Sequence, residues 1–143
     1  MYDTISSPKQ KIVQDNIVAV TDTTARLRFA NFVYSKNAIP AVDIYSANKK
    51  ANVFTNVQVT DVTDYIPYET NRTDTFYIRL TGTLTNLQNI TPPTPAPGNV
   101  LTTISFAVTP REKRHYTLIF RGSYATILTN AAQVRGFGFM TNY

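Results

Sequence analysis

Apolar and polar residues alternate with period two through much of the chain. In "ARLRFANF", Leu27 and Phe29 fall on one face and Arg26, Arg28 and Ala30 on the other, the pattern of a half-buried strand. "AVDIYS" repeats it, with Val42 and Ile44 opposed to Ala41, Asp43 and Tyr45. "ANVFTNVQVTDV" predicts a third strand region, with Val53, Val57 and Val59 on one parity. "TFYIRLTG" sets Phe76, Ile78 and Leu80 against Tyr77, Arg79 and Thr81. "VLTTISFAVTP" and "HYTLIFRG" follow as strands joined by the basic turn "REKR". The tail "QVRGFGFMTNY" carries Val134, Phe137, Phe139 and Met140 and is too apolar to hang free. It reads as a closing strand in which Gly136 and Gly138 mark a bulge or a close backbone approach.

Between these runs lie breakers. "VYSKNAIP" and "ANKK" are loop and turn, and "YIP" is a short strand that Pro67 ends. Pro92, Pro93, Pro95, Pro97 and Gly98 place the tip of a long hairpin in "TPPTPAPG", because proline gives a sheet ladder no donor. Two segments, "YIPYETNRTDTFYIRLTG" and "FAVTPREKRHYTLIFRGS", share one rhythm of proline, polar turn, aromatic, alternating strand and glycine. They read as two similar hairpin corners. Seven or eight short strands and no helix predict an all-β, two-sheet sandwich of antiparallel strands. Residues 1–23, polar apart from "NIVAV", form an N-terminal segment or inter-module linker, and 24–143 the sandwich domain.

Composition agrees. Twenty-two threonines, nine tyrosines and eight phenylalanines against two glutamates suit pleated, half-buried surfaces. At 143 residues the chain can bury a core without disulfide or metal support. The absence of cysteine removes thiol nucleophiles and thiolate metal sites. A formal charge of +5 raises the question of acidic partners, but only Arg111–His115 forms a basic cluster. A nucleic-acid face gathers more charge than this, so the cluster reads as a solvated loop.

Candidate chemistry is thin. His115 stands in that charged turn and reads as a surface histidine. Ser123 in "RGSYA" lacks the second glycine of a nucleophile elbow, and "RGFGF" has no following helix to cradle phosphate. Asp61 and Asp64 in "TDVTD" are too few for calcium, which takes six to eight oxygens, and read as turn residues. No catalytic residue, metal or cofactor is expected. Tyr34, Tyr65 and Tyr68 are candidate platforms for stacking on sugar rings, or else cover the ends of the core. Tyr116, at a strand start just after an inter-sheet turn, is placed for a tyrosine corner. Asp43 and Arg28, each opposite the apolar face of its strand, are expected to form a cross-strand pair.

Several of these residues carry a resemblance. Arg28, Phe29 and Asn31; "PAVDIY", Pro40 to Tyr45; Tyr65 to Pro67; and Tyr116 to Leu118 with Gly122 are similar to the pattern of the domain of unknown function family 4397. The likeness spans about residues 24 to 122. It departs at "TNRTD", where a corner glycine is expected, and in the longer proline-rich hairpin. The resemblance implies an immunoglobulin-like sandwich with no assigned activity, extracytoplasmic in bacteria, often in Bacteroidetes lipoproteins. It further implies a periplasmic or cell-surface unit, one module of a tandem protein or a body lipid-anchored upstream. The residues name no partner; a surface polysaccharide and another envelope protein are the candidates.

Overall fold

The computed structural model describes Gln14 and residues 17–91, 100–124 and 135–142. The protein is an all-β sandwich. Its strands are β1 (Ala25–Tyr34), β2 (Val42–Ser46), β3 (Ala51–Val57), β4 (Ile66–Tyr68), β5 (Asp74–Leu80), β6 (Gln88–Thr91), β7 (Val100–Thr103), β8 (Ser105–Val108), β9 (His115–Ser123) and β10 (Gly136–Asn142). One four-stranded sheet runs β10-β9-β1-β4, the other β3-β2-β5-β8, and β6 and β7 pair as a separate hairpin. The proline-rich segment expected at that hairpin's tip, like most of residues 1–16 and Val134, lies outside the described residues.

The core is what the alternation selects. Leu27, Phe29, Tyr116, Leu118 and Phe120 of the first sheet face Val42, Ile44, Phe54, Phe76 and Ile78 of the second, all buried. Phe29 binds the layers, its ring 6.3 Å from both Phe54 and Phe137.

Four details differ from the sequence reading. First, β1 and β9 pair in parallel, Arg26 with His115 through Tyr34 with Ser123, so the first sheet is mixed. Second, the two segments of shared rhythm are not hairpins. β4 and β5 belong to different sheets, as do β8 and β9, so residues 69–73 and 109–114 each cross the sandwich. Each crossing turns on a left-handed residue, Asn71 at φ 61° and Lys113 at φ 60°. The crossings are tied together where the Asn71 amide donates to the Pro110 carbonyl at 2.8 Å.

Third, the valine parity in β3 breaks. The β2–β3 register shifts on both sides of Ile44, and Phe54 and Val57 are buried while Val53 is only half-buried. An extra residue in one strand moves every later side chain to the other face. Fourth, Gly136 and Gly138 mark neither bulge nor close approach. Their strand pairs with β9 in unbroken register, and a Cβ at either glycine would meet nothing within 4 Å.

Candidate functional site

Arg28 and Asp43 do not form the expected cross-strand pair. They stand on β1 and β2, which belong to different sheets. Period two identifies the face of a residue but not the strand beside it. Asp43 is nevertheless buried, 4% exposed. Its carboxylate accepts from the Asn56 amide at 2.8 Å, Thr81 Oγ1 at 2.7 Å and Asn52 Nδ2 at 3.0 Å. Asn56 is the residue at φ 54° in the irregular stretch of β3, so Asp43 holds the bulge closed and ties it to the end of β5.

Arg28 instead joins a cluster on the outer face of the first sheet. Its Nε donates to Thr117 Oγ1 at 2.9 Å and its guanidinium lies 4.6 Å from the Tyr65 ring centroid. Asn142 Nδ2 donates to the Tyr65 hydroxyl at 2.9 Å and to Thr117 Oγ1 at 2.8 Å. His115 meets the same ring edge-on at 5.0 Å. His115 is thus not a surface residue: the solvated loop is Arg111–Arg114, and β9 begins at His115, which is buried.

The candidate stacking tyrosines part company. Tyr68 is buried and cannot meet a ligand. Tyr65 has one ring face covered by Arg28. Tyr34, at the end of β1, is 54% exposed, and Phe32, two residues earlier on the same face, is also exposed. The Tyr116 hydroxyl accepts from the Arg111 amide at 2.9 Å, five residues upstream and across the turn. Removing it leaves that amide without its partner. Tyr116→Phe should therefore lose roughly 0.5–1.5 kcal/mol, read as a lower urea midpoint at unchanged slope; an unmoved midpoint would show that the bond contributes nothing.

The most enclosed polar cluster was not expected. Asp74, 1% exposed, accepts from Ser46 Oγ at 2.5 Å, from the Tyr68 hydroxyl, and from the Asn48 amide at 2.9 Å. Ser46 and Tyr68 oxygens lie 2.8 Å apart, and the Lys49 amide donates to Ser46 Oγ at 3.0 Å. Three strands, β2, β4 and β5, are pinned at this point, and β4 belongs to the opposite sheet. Burial pushes the Asp74 carboxyl up, but the bonds from Ser46, Tyr68 and the Asn48 and Thr75 amides outweigh it and hold it below the usual carboxylate value. Burial and then the hydrogen bond to the Asp74 carboxylate push the Tyr68 phenol above its ordinary range.

Strand parity could have found this cluster. Asp74 shares the parity of Phe76 and Ile78, and Ser46 that of Val42 and Ile44, so both point into the core.

No family model, curated protein or solved structure matches the chain. Its chemistry therefore has to be read from the residues themselves.

A second enclosed group is Arg135. Its Nη2 donates to the Gln88 carbonyl at 2.6 Å and its Nε to Asn89 Oδ1 at 3.2 Å, while Asn89 Nδ2 donates back to the Arg135 carbonyl at 2.9 Å. The guanidinium lies 5.1 Å from the Tyr124 ring centroid. It anchors β6 to the start of β10. Burial lowers its pKa, with Tyr124 opposing. Among the described residues, no group of three or more His, Asp or Glu side chains could hold a metal ion. Among the same residues, no helix is long and apolar enough to cross a membrane.

Proposed function

We propose that the chain is a non-catalytic β-sandwich module of the bacterial cell envelope, acting as a structural or adhesive unit. One observation carries the reading. Among the described residues, four enclosed polar side chains are occupied in fastening the backbone: Asp43 holds a bulge, Asp74 a junction of strands from both sheets, Tyr116 a crossing and Arg135 a hairpin. An enzyme points such groups at a cleft where a substrate atom can reach them. The envelope location rests on the resemblance carried by Arg28, Phe29 and Asn31, by Pro40 to Tyr45, by Tyr65 to Pro67 and by Tyr116 to Leu118. An upstream lipid anchor would suit it.

The exposed pair Phe32 and Tyr34 favours a second reading, a carbohydrate-binding module. Two aromatic side chains on one strand face, two residues apart, can lie under successive sugar rings. Affinity electrophoresis through gels loaded with polysaccharides separates the two. The structural reading expects unretarded migration on every gel. Retardation that disappears in Tyr34→Ala would replace it with the carbohydrate reading.

A further inference from the structure

Natural sheets protect their edges with proline, charge, bulges or short strands. Among the described residues, three of the four edges of the two main sheets are protected in this way. β4 carries Pro67, β3 is bulged at Asn56, and β8 is only four residues long. The fourth is β10, "GFGFMTN", seven residues with no charge, no proline and no register shift. Among the described residues its one ladder partner is β9. Two of its exposed side chains are large and apolar, Phe139 at 43% and Met140 at 50%.

We propose that β10 is a self-association edge, pairing antiparallel with β10 of a second copy of this chain about a two-fold axis at Phe139. This goes beyond the proposed function and stands whichever reading of it holds.

The residue order argues for a second copy over another partner. Only a two-fold at Phe139 pairs all seven residues: Gly136 with Asn142, Phe137 with Thr141, Gly138 with Met140 and Phe139 with itself. Each glycine then lies opposite a larger side chain of the other copy on the same sheet face. The space above Gly136 and Gly138, where a Cβ would meet nothing within 4 Å, receives Asn142 and Met140 of the second copy. Phe139 meets its own equivalent, an aromatic pair directly across the ladder, where such pairs contribute most.

Charge points the same way. The chain carries +5, so copies repel over most approaches. β10 and the neighbouring edge β8 of the other sheet contain no charged residue, so neither strand adds to the repulsion when a second copy approaches this flank. Isologous pairing also closes after two copies, so the edge is consumed and no fibre grows.

A seven-residue ladder covers less than the roughly 1,200–2,000 Å² of a stable interface. The dimer is therefore weak, with a dissociation constant on the order of 10 μM to 1 mM. Sedimentation equilibrium from about 10 μM to 1 mM should show a monomer–dimer transition in the full chain. Met140→Lys, an exposed substitution, should raise the dissociation constant by about tenfold or more, because two new cations face the neighbouring strand.

Because the chain has no cysteine, single cysteines report the register cleanly. Residues directly opposite in an antiparallel pair have Cα atoms about 4.5–5.5 Å apart, within disulfide reach. Phe139→Cys should cross-link under mild oxidation and Met140→Cys should not, since Met140 is two residues out of line with its own equivalent. Because Phe139 also packs on Phe106, the fold of that variant is checked by its far-UV spectrum, and concentration-dependent amide protection of β10 in the unmodified chain supplies the same readout.

Three results would overturn the proposal. A monomer throughout the concentration range is the first. A dimer indifferent to Met140→Lys, or one that cross-links at 140 and not at 139, is the second. The third is protection, in the dilute monomer, of the alternate β10 amides that point away from β9, which would assign the edge to another part of the same chain.

Discussion

Asp74→Ala should cost about 3–5 kcal/mol, the largest loss expected from any polar substitution in this protein. The change strands three donors at once, the Ser46 and Tyr68 hydroxyls and the Asn48 amide, in a site that is almost closed to water. Each buried donor left unsatisfied costs about 1–3 kcal/mol, and the neighbours can re-pair only in part, because Ser46 and Tyr68 already touch. The sign of the pH dependence follows from the direction of the shift. The folded carboxyl is held below the ordinary value, so its contribution is fully present above about pH 4, where the unfolded carboxyl titrates. It disappears as the pH falls through the folded value. Urea midpoints measured from pH 7 down to about pH 2.5 should therefore fall for the native chain and fall less for Asp74→Asn. Identical slopes for the two would mean that the carboxylate is not favoured by folding.

Asp43→Ala should cost about 2–4 kcal/mol, and the informative quantity is how that loss combines with others. Thr81 donates to the same carboxylate, so Asp43→Ala and Thr81→Ala remove one bond between them. Their double variant should lose less than the sum, with a coupling of about 0.5–3 kcal/mol. Arg28 lies on the outer side of the other sheet and donates to Thr117, which is not a partner of Asp43. The sheets alone are about 10 Å apart, so Asp43→Ala and Arg28→Ala should add within about 0.5 kcal/mol. A cycle in denaturant checks both. Coupling between Arg28 and Asp43, with none between Asp43 and Thr81, would overturn this account of the carboxylate.

The history of Asp43 shows what can be read from a β sequence and what cannot. Period two located β1, β2 and β5 and the faces they bury, because one buried face imposes alternation on its own strand. It carries no information on which strand lies alongside. Placing Asp43 opposite Arg28 joined two correct face assignments through an incorrect neighbour. The crossings failed for a related reason. A polar turn of five or six residues can close a hairpin or step to the other sheet, and Asn71 and Lys113 look alike in both. In β3 two extra residues, one in the stretch where Asn56 is left-handed and one beside Val53, break the parity that groups Val53 with Val57. The charges before His115 make it read as loop, although the apolar run after it starts at Tyr116. Ser46 and Asp74 were legible, since their parity points inward, but polar residues at strand ends are easily taken for turns.

The mixed first sheet also decides where the chain comes and goes. Arg26 at the start of β1 and Asn142 at the end of β10 are both in register with His115, so the way in and the way out lie at one end of the sandwich, two strands apart. A module strung in a tandem protein through these two points would sit beside the line of the chain like a pendant, not within it like a bead. Tension drawn through residues 25 and 142 would act across the strands and part the ladders one bond at a time, so such a module is suited to presenting its far end and poorly suited to carrying load.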